Sequence, residues 1–497
     1  MVIILSGAKT TYTKGVAMNA FVQTRWMKVS LLVLVVLAIT ASLVNARGNY
    51  QQEEFEKMLK GKAPTRKGEV KAEIINSSPI RPVSVPAAAP GGFTPQTRLG
   101  FAVDNEWEPA IASDRLGHVY VLYAQYGGVP GCPSCSNPTQ VLQISNDHGA
   151  TWGSPFVIYP AGASTGGQWD SQIVVDPVDG KTVFASFMQN NKSDIIVAKS
   201  TDFGVTWIPV IADATNSGTD KPILAVRGQD VFVVYNHAQT IWGAYSHNGG
   251  ASFTEVKVNQ NGKLGWSLAG GGTITPNGNA YFAWVGYEGN GGAKGKVNIF
   301  VSKTTDGGAT WTTKLIDVSA SPPDCSSLLC GWAFLGAQLV MTSDSTGNIY
   351  LLWNAGSTAR GPERIYFAKS TDGGNTYSAK VDVSAAPAGT HHAFPAIAAT
   401  GNGDVRISWM DARAANGGMD KWNVYYRSST NGGSTWSSEI DLSTFVSDFS
   451  YIFADGFRFP FGDYYEMDID EQGTNHVVFG EALNYDSPGS IWYVKGK

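Results

Sequence analysis

The chain has 497 residues, of which 57 are glycine, 11% are aromatic and only 15% are charged. That balance favours a turn-rich, strand-rich protein over a helical one. The net charge of −5 and pI near 5.8 leave no basic surface, so nucleic acid is excluded as an expected partner.

Residues 27–46 read MKVSLLVLVVLAITASLVNA. Lys28 supplies a short positive region, Leu31 to Ile39 an apolar one, and Val44-Asn45-Ala46 a small-residue exit. This is the pattern of a secretory signal peptide starting at Met27, so residues 1–46 form an upstream segment plus signal. An uncleaved anchor is the alternative, and only then is the membrane a partner; the apolar stretch falls short of a span of about 20 residues. Residues 47–93 form a Pro/Ala-rich linker with Pro79, Pro82, Pro86 and Pro90 closely spaced. The folded domain is expected over 94–497. Its four cysteines fall in two close pairs, Cys132 with Cys135 and Cys325 with Cys330. Two local loop disulfides suit an exported chain better than two zinc-binding pairs.

Within the domain one octapeptide recurs: SNDHGATW at Ser145–Trp152, STDFGVTW at Ser200–Trp207 and SHNGGASF at Ser246–Phe253. It returns as TTDGGATW at Thr304–Trp311, STDGGNTY at Ser370–Tyr377 and STNGGSTW at Ser429–Trp436. The Asp or Asn oxygen is expected to accept a backbone N–H two residues on, and glycine supplies positive φ. A second periodicity lies upstream of each copy, an alternating strand, a glycine turn and a second strand, as in Pro109–Ser113 with Val119–Tyr123. The unit repeats about every 57 residues, as one supersecondary unit stacked on its neighbours.

The octapeptide resembles the Asp box, or bacterial neuraminidase repeat, of sialidases and related propellers. The resemblance covers about 400 residues and implies a β-propeller with each box between the third and fourth strands of a blade, opposite the active face. The chain is therefore expected to be all-β, with four-stranded antiparallel blades. A seventh unit, Tyr465–Asp470, His476–Gly480 and Ile491–Val494, has only three strands. The N-terminal strand Thr97–Val103 is expected to complete it, closing the ring and hiding its edges. Seven blades are expected, with six as the alternative because sialidases have six.

The active face would carry the loops entering first strands and leaving second strands. The entering loops hold Trp107-Glu108, Trp169-Asp170, Asp220-Lys221, Trp266, Trp332, His391-His392 and Asp463-Tyr464. Aromatics in this register suit stacking on sugar rings, or else pack between blades. The leaving loops hold Asp411, Arg413 and Glu481, with Arg458 in the connection between the last two units. The resemblance implies a Tyr paired with a Glu as nucleophile, an Asp as acid/base and arginines on a substrate carboxylate. Tyr464 with Glu481, Asp411 and Asp463, and Arg413 with Arg458, are the available candidates, all near the seam of blades six, seven and one. The family's Arg-Ile-Pro motif is absent, Arg98-Leu99-Gly100 being the nearest text, and a third arginine is unassigned, with Arg360 and Arg364 in reserve. Three readings follow: a secreted, sialidase-like glycoside hydrolase acting on extracellular glycans, a non-catalytic propeller binding a glycan or protein, and a polysaccharide lyase using His391 or His392. No metal, no cofactor and a monomeric state are expected.

Overall fold

The computed structural model describes residues 90–101, 103–159, 166–215, 218–237, 239–259, 264–289, 294–323, 337–448, 461–462, 464–483 and 489–497. The signal-like segment, most of the linker and the pair Cys325/Cys330 lie outside the described residues.

Strands alternating with glycine turns pair into seven antiparallel sheets, with no α-helix among the described residues. Their inner strands are Glu106–Ser113, Trp169–Val175, Thr219–Arg227, Trp266–Ile274, Leu339–Ser343, His392–Thr400 and Glu466–Ile469. Each packs against the next, and the last against the first, so the sheets form a closed seven-bladed propeller. Blade six carries a fifth strand, Ser447–Asp448, beside Lys421–Ser429.

The core is divided into wedges between neighbouring blades. Ala110, Tyr120 and Leu122 of blade one meet Ile173, Ala185 and Phe187 of blade two in one such wedge. Leu352 and Phe367 of blade five meet Ile407 and Trp409 of blade six in another. Trp107, Trp284, Trp353, Trp409 and Trp422 are fully enclosed in these wedges. Each buries roughly 200 Å², a gross transfer contribution of about 5 kcal/mol before entropy is set against it.

The ring closes as the strand deficit requires. Thr97–Arg98 pairs with the last strand, Thr97 opposite Tyr493 and Arg98 opposite Trp492. The pairing is shorter than the Thr97–Val103 expected. Leu99 N–H still donates to Ile491 O, but at Gly100 (φ 83°) the chain turns into blade one, where Gly100 N–H donates to Gln143 Oε1. A second bond crosses the same seam. The inner strand of blade one presents N–H groups to the channel, and blade seven caps them with carboxylates. Ile111 N–H donates to Glu466 Oε2 (3.1 Å) and Ser113 N–H to Asp468 Oδ2 (2.6 Å).

All six octapeptides are turns between third and fourth strands, with one correction to the expected bonding. The Asp carboxylate is gripped from four residues on, not two. Thr151 N–H and Oγ–H donate to Asp147 (2.8 and 2.6 Å), and Ser145 Oγ–H donates to the same carboxylate. The same donors serve Asp202, Asp306 and Asp372, and Asn248 and Asn431 substitute with an amide. The Thr151 hydroxyl holds the Asp147 carboxyl down at about 2, and Thr310 does the same for Asp306.

Candidate functional site

At the face opposite these turns, five inner strands share one irregularity. Register slips at Trp107/Ala110, Trp169/Gln172, Asp220/Ile223, Ala269/Gly271 and Ala393/Ala396. Each slip is a β-bulge that re-aims one side chain at the channel end of the strand. The bulged residues of four blades are not glycine, yet have positive φ: Glu108 (59°), Asp170 (57°), Lys221 (50°) and Phe394 (52°). Such a conformation costs about 1–2 kcal/mol per residue. In blade four the position is Gly270, where a Cβ would lie 1.8 Å from Leu339 O.

Three of the bulged side chains, Glu108, Asp170 and Lys221, are ionisable. Lys221 N–H donates to Asp170 Oδ2 (2.9 Å), while the Lys221 ammonium lies 3.5 Å from the centre of the Tyr464 ring. Tyr464 Oη–H donates to Ser171 O (3.2 Å). Lys192 Nζ pairs with Asp220 Oδ1 (3.1 Å). Burial works to lower the Lys192 ammonium, but Asp220, Asp170 and Glu108 together raise it above its ordinary value. Burial likewise works to raise Asp220, and Lys192 and Lys221 overcome it, holding the carboxyl ionised. Gly462 packs directly on Glu108, a Cβ there lying 3.0 Å from Glu108 N.

Asp170, Lys221, Tyr464 and Glu466 line one narrow cleft of about 50 Å³, floored by Gln172 and Glu466. The same two floor residues line the top of the central channel, a cavity of about 430 Å³. Glu466 accepts from Gln172 Nε2 (2.5 Å) and Ile111 N–H. Burial nevertheless pushes its carboxyl up to about 8, only partly offset by those bonds. A carboxyl raised by burial thus lines the cleft, and Lys221 acts both on it and on the ionised Asp220.

The expected site residues divide into two groups. Asp170 and Tyr464 line the cleft, and Glu108 acts by its charge on Lys192. The others stand elsewhere. Asp411 is fully buried and accepts from Arg413 Nε and Nη2 (2.9 and 2.6 Å), Arg413 N–H and Trp409 Nε1. Arg413 continues to Glu439 Oε2 (2.8 Å) and lies over the Tyr425 ring, so this pair fastens the loop leaving blade six. Glu481 accepts from Gln96 and Ser443, and burial pushes it up to about 8. It has no contact in common with Tyr464, so the Tyr464–Glu481 pairing is not formed. His392 is buried, held at Glu363 O and Ser384 Oγ, and pushed down to about 4 by that burial; His391 is buried beside it. Trp107 fills the wedge beneath Gly480 and Gly489, while Trp169 and Trp266 are half-buried between blades. Asp463, Arg458 and Trp332 lie outside the described residues. Of the reserve arginines, Arg364 is tied to Asp382 and to three backbone carbonyls.

Asp220-Lys221 is one of the entering loops that the sequence places on this face, whereas Lys192, Gln172 and Glu466 were not nominated from it. The bulges have a signal in the text: Pro109, Pro222 and Pro395 sit inside what must be central strands, where proline is found at bulges.

No protein-family model matches the chain, and no curated sequence matches it. Solved structures with similar folds include a protein of unknown function from Dyadobacter fermentans (14% identity, TM-score 0.44, covering 81% of this chain and 98% of that one). They also include the Hadza microbial sialidase Hz136 (13%, 0.43, 79% and 66%) and an ulvan lyase of polysaccharide lyase family 25 (10%, 0.45, 79% and 95%).

Proposed function

We propose that the chain is a carbohydrate-active propeller that hydrolyses a glycosidic bond at the cleft lined by blades two, three, four, five and seven. The observation that carries this reading is a split between carboxyls: Glu466 is pushed up to about 8 by burial, and Asp220 is held ionised by Lys192 and Lys221, with Asp170 accepting the Lys221 backbone N–H. In hydrolysis Glu466 gives its proton to the departing glycosidic oxygen as the C–O bond breaks. Asp170 takes a proton from the water whose oxygen forms the new bond at the sugar carbon. Tyr464 and Lys221 form the wall against which a sugar face would rest. The signal-like segment and the Cys132–Cys135 disulfide (S–S 2.01 Å) support action outside the cytoplasm, on extracellular glycans.

A second reading, binding without turnover, is favoured by one contact. The Tyr464 hydroxyl is engaged with a backbone carbonyl, that of Ser171, at 3.2 Å. A panel of aryl glycosides and defined polysaccharides, with wild type, Glu466→Gln and Asp170→Asn, separates the two. Hydrolysis predicts turnover lost in both variants with binding retained. Binding alone predicts no turnover by the wild type and affinity that falls with Lys221→Met or Tyr464→Phe. Absence of both across the panel overturns the assignment of the cleft to carbohydrate.

A further inference from the structure

The first two octapeptide turns differ from the other four at one position, the second carrying Phe203 at φ 62°. After the Asp or Asn, four turns carry glycine at positive φ: Gly249, Gly307, Gly373 and Gly432. The first carries His148, held at φ 56°, a conformation that glycine adopts without strain. Its imidazole reaches across the closing seam to blade seven. His148 Nδ1 lies 3.3 Å from Asp470 Oδ2 and 3.6 Å from Glu471 Oε1, and the three donor atoms all fall within 4.8 Å of one another.

These separations are long for hydrogen bonds from an imidazole to a carboxylate, which close to about 2.7–2.9 Å when charged. The two separations from His148 match the edges of a tetrahedron with bonds of about 2.0–2.2 Å, which are roughly 3.3–3.6 Å long, and the third lies within 4.8 Å. The surroundings are those of a supported ligand set. Asp470 is anchored at its other oxygen by Gln472 N–H (3.0 Å) and Thr474 N–H (2.7 Å). His476 Nε2 steadies Asp470 Oδ2 (3.2 Å) and is itself fixed through Nδ1 to Tyr493 Oη (2.7 Å). His148 and Glu471 are partly open to solvent, which leaves an approach and a water position.

We propose that His148, Asp470 and Glu471 form a binding site for a borderline divalent transition metal of the zinc type, clasping the first blade to the last. One nitrogen and two carboxylate oxygens suit zinc better than calcium, which takes six to eight oxygens. Coordination through Nδ1 leaves the proton on Nε2, which now faces the exposed side-chain amide of Gln472 at 2.9 Å. A half-turn of that amide presents its oxygen to the Nε2 proton and fixes the tautomer the metal needs. The site is remote from the cleft and does not depend on what the cleft does.

The test is calorimetric titration of the chelator-stripped full chain with zinc, paired with thermal unfolding in zinc and in EDTA. The expected result is one saturable equivalent and a higher Tm with zinc. His148→Gly restores the residue used in four other turns and is expected to fold; it should weaken zinc binding by roughly 100-fold and abolish the Tm gain. Glu471→Gln, an exposed change, should weaken binding without altering the zinc-free Tm. Cobalt bound by the wild type but not by His148→Gly should give a tetrahedral visible band. The proposal is overturned if no saturable zinc binding occurs, or if His148→Gly binds zinc as the wild type does.

Discussion

The Lys221 ammonium rests 3.5 Å from the centre of the Tyr464 ring, joining blade three to the segment that enters blade seven. The same residue donates its backbone N–H to Asp170 in blade two. Lys221 adopts positive φ to make both contacts, and the conformation is maintained because the bulge, the carboxylate and the ring all favour it. Its charge also reaches two acids with opposite tendencies, holding Asp220 down and restraining the rise of Glu466.

Replacing Lys221 by Met keeps the length and apolar stem while removing the charge. Asp220 should then titrate at higher pH, and Glu466 should move above its present value of about 8. For a hydrolase whose basic limb reports Glu466, that limb should shift upward in Lys221→Met, and the acidic limb should shift the same way. A pH–rate profile checks both. Limbs that stay in place would separate Lys221 from the acid–base pair.

Stability should depend on pH through two buried carboxyls. Glu466 and Glu481 are both pushed up to about 8 by burial, so the folded chain holds protons that the unfolded chain releases above about 4.5. The folded state binds more protons across that window, so stability falls as pH rises from about 5 to 8. Denaturant melts at several pH values should show this slope, and Glu481→Gln, which stays neutral, should reduce it. A flat profile in the wild type would contradict the buried, protonated assignment.

The architecture was legible in the sequence because its signal is local. Asp147 and Thr151, four residues apart, make the turn by themselves, and six repeats of that spacing mark six of the seven blades. Closure was legible as a deficit of one strand. The cleft was not, because a bulge reverses the side to which a residue points. Trp107 and Glu108 are adjacent in the chain, yet Trp107 fills a wedge while Glu108 joins the charged assembly at the channel mouth. Asp411 and Arg413 read as a candidate site because acid and base lie two residues apart, and that same proximity lets them satisfy one another. Glu466 was passed over as an alternating position of a short strand; only the ring shows that its neighbours are Gln172 of blade two and the N–H of Ile111.

In the repeated turns the hydrogen bonds, and not the charge, should matter most, since Asn already stands at Asn248 and Asn431. Asp306→Asn should change Tm little, whereas Asp306→Ala should lower it by removing the acceptor for the Thr310 N–H and hydroxyl. Thr310→Val should raise the Asp306 carboxyl from about 2 toward the ordinary range, read by NMR titration. The turn's contribution is present above about pH 4 and is lost as pH falls toward 2, the direction expected of a depressed carboxyl. A large Tm loss in Asp306→Asn would show that charge is required after all.

Closure by the N-terminal strand should decide whether the ring unfolds as one unit. Truncation through residue 90 leaves Phe93 against Tyr426 (4.9 Å), Gln96 on Glu481 and the Thr97–Arg98 pairing intact. Truncation through residue 104 removes all three, together with the buried Phe93 and Leu99 side chains, about 3–6 kcal/mol by transfer alone. It also strips one of two donors, Gln96, from the buried Glu481 carboxyl and exposes the edge of the Ser490–Gly496 strand, a template for pairing between molecules. The shorter truncation should match the full-length chain in Tm and cooperativity. The longer one should melt earlier, over a broader range, and aggregate with a concentration dependence that light scattering detects. Equal melting of the two truncations would mean that the three strands of blade seven suffice without the fourth, and the closure account would fail.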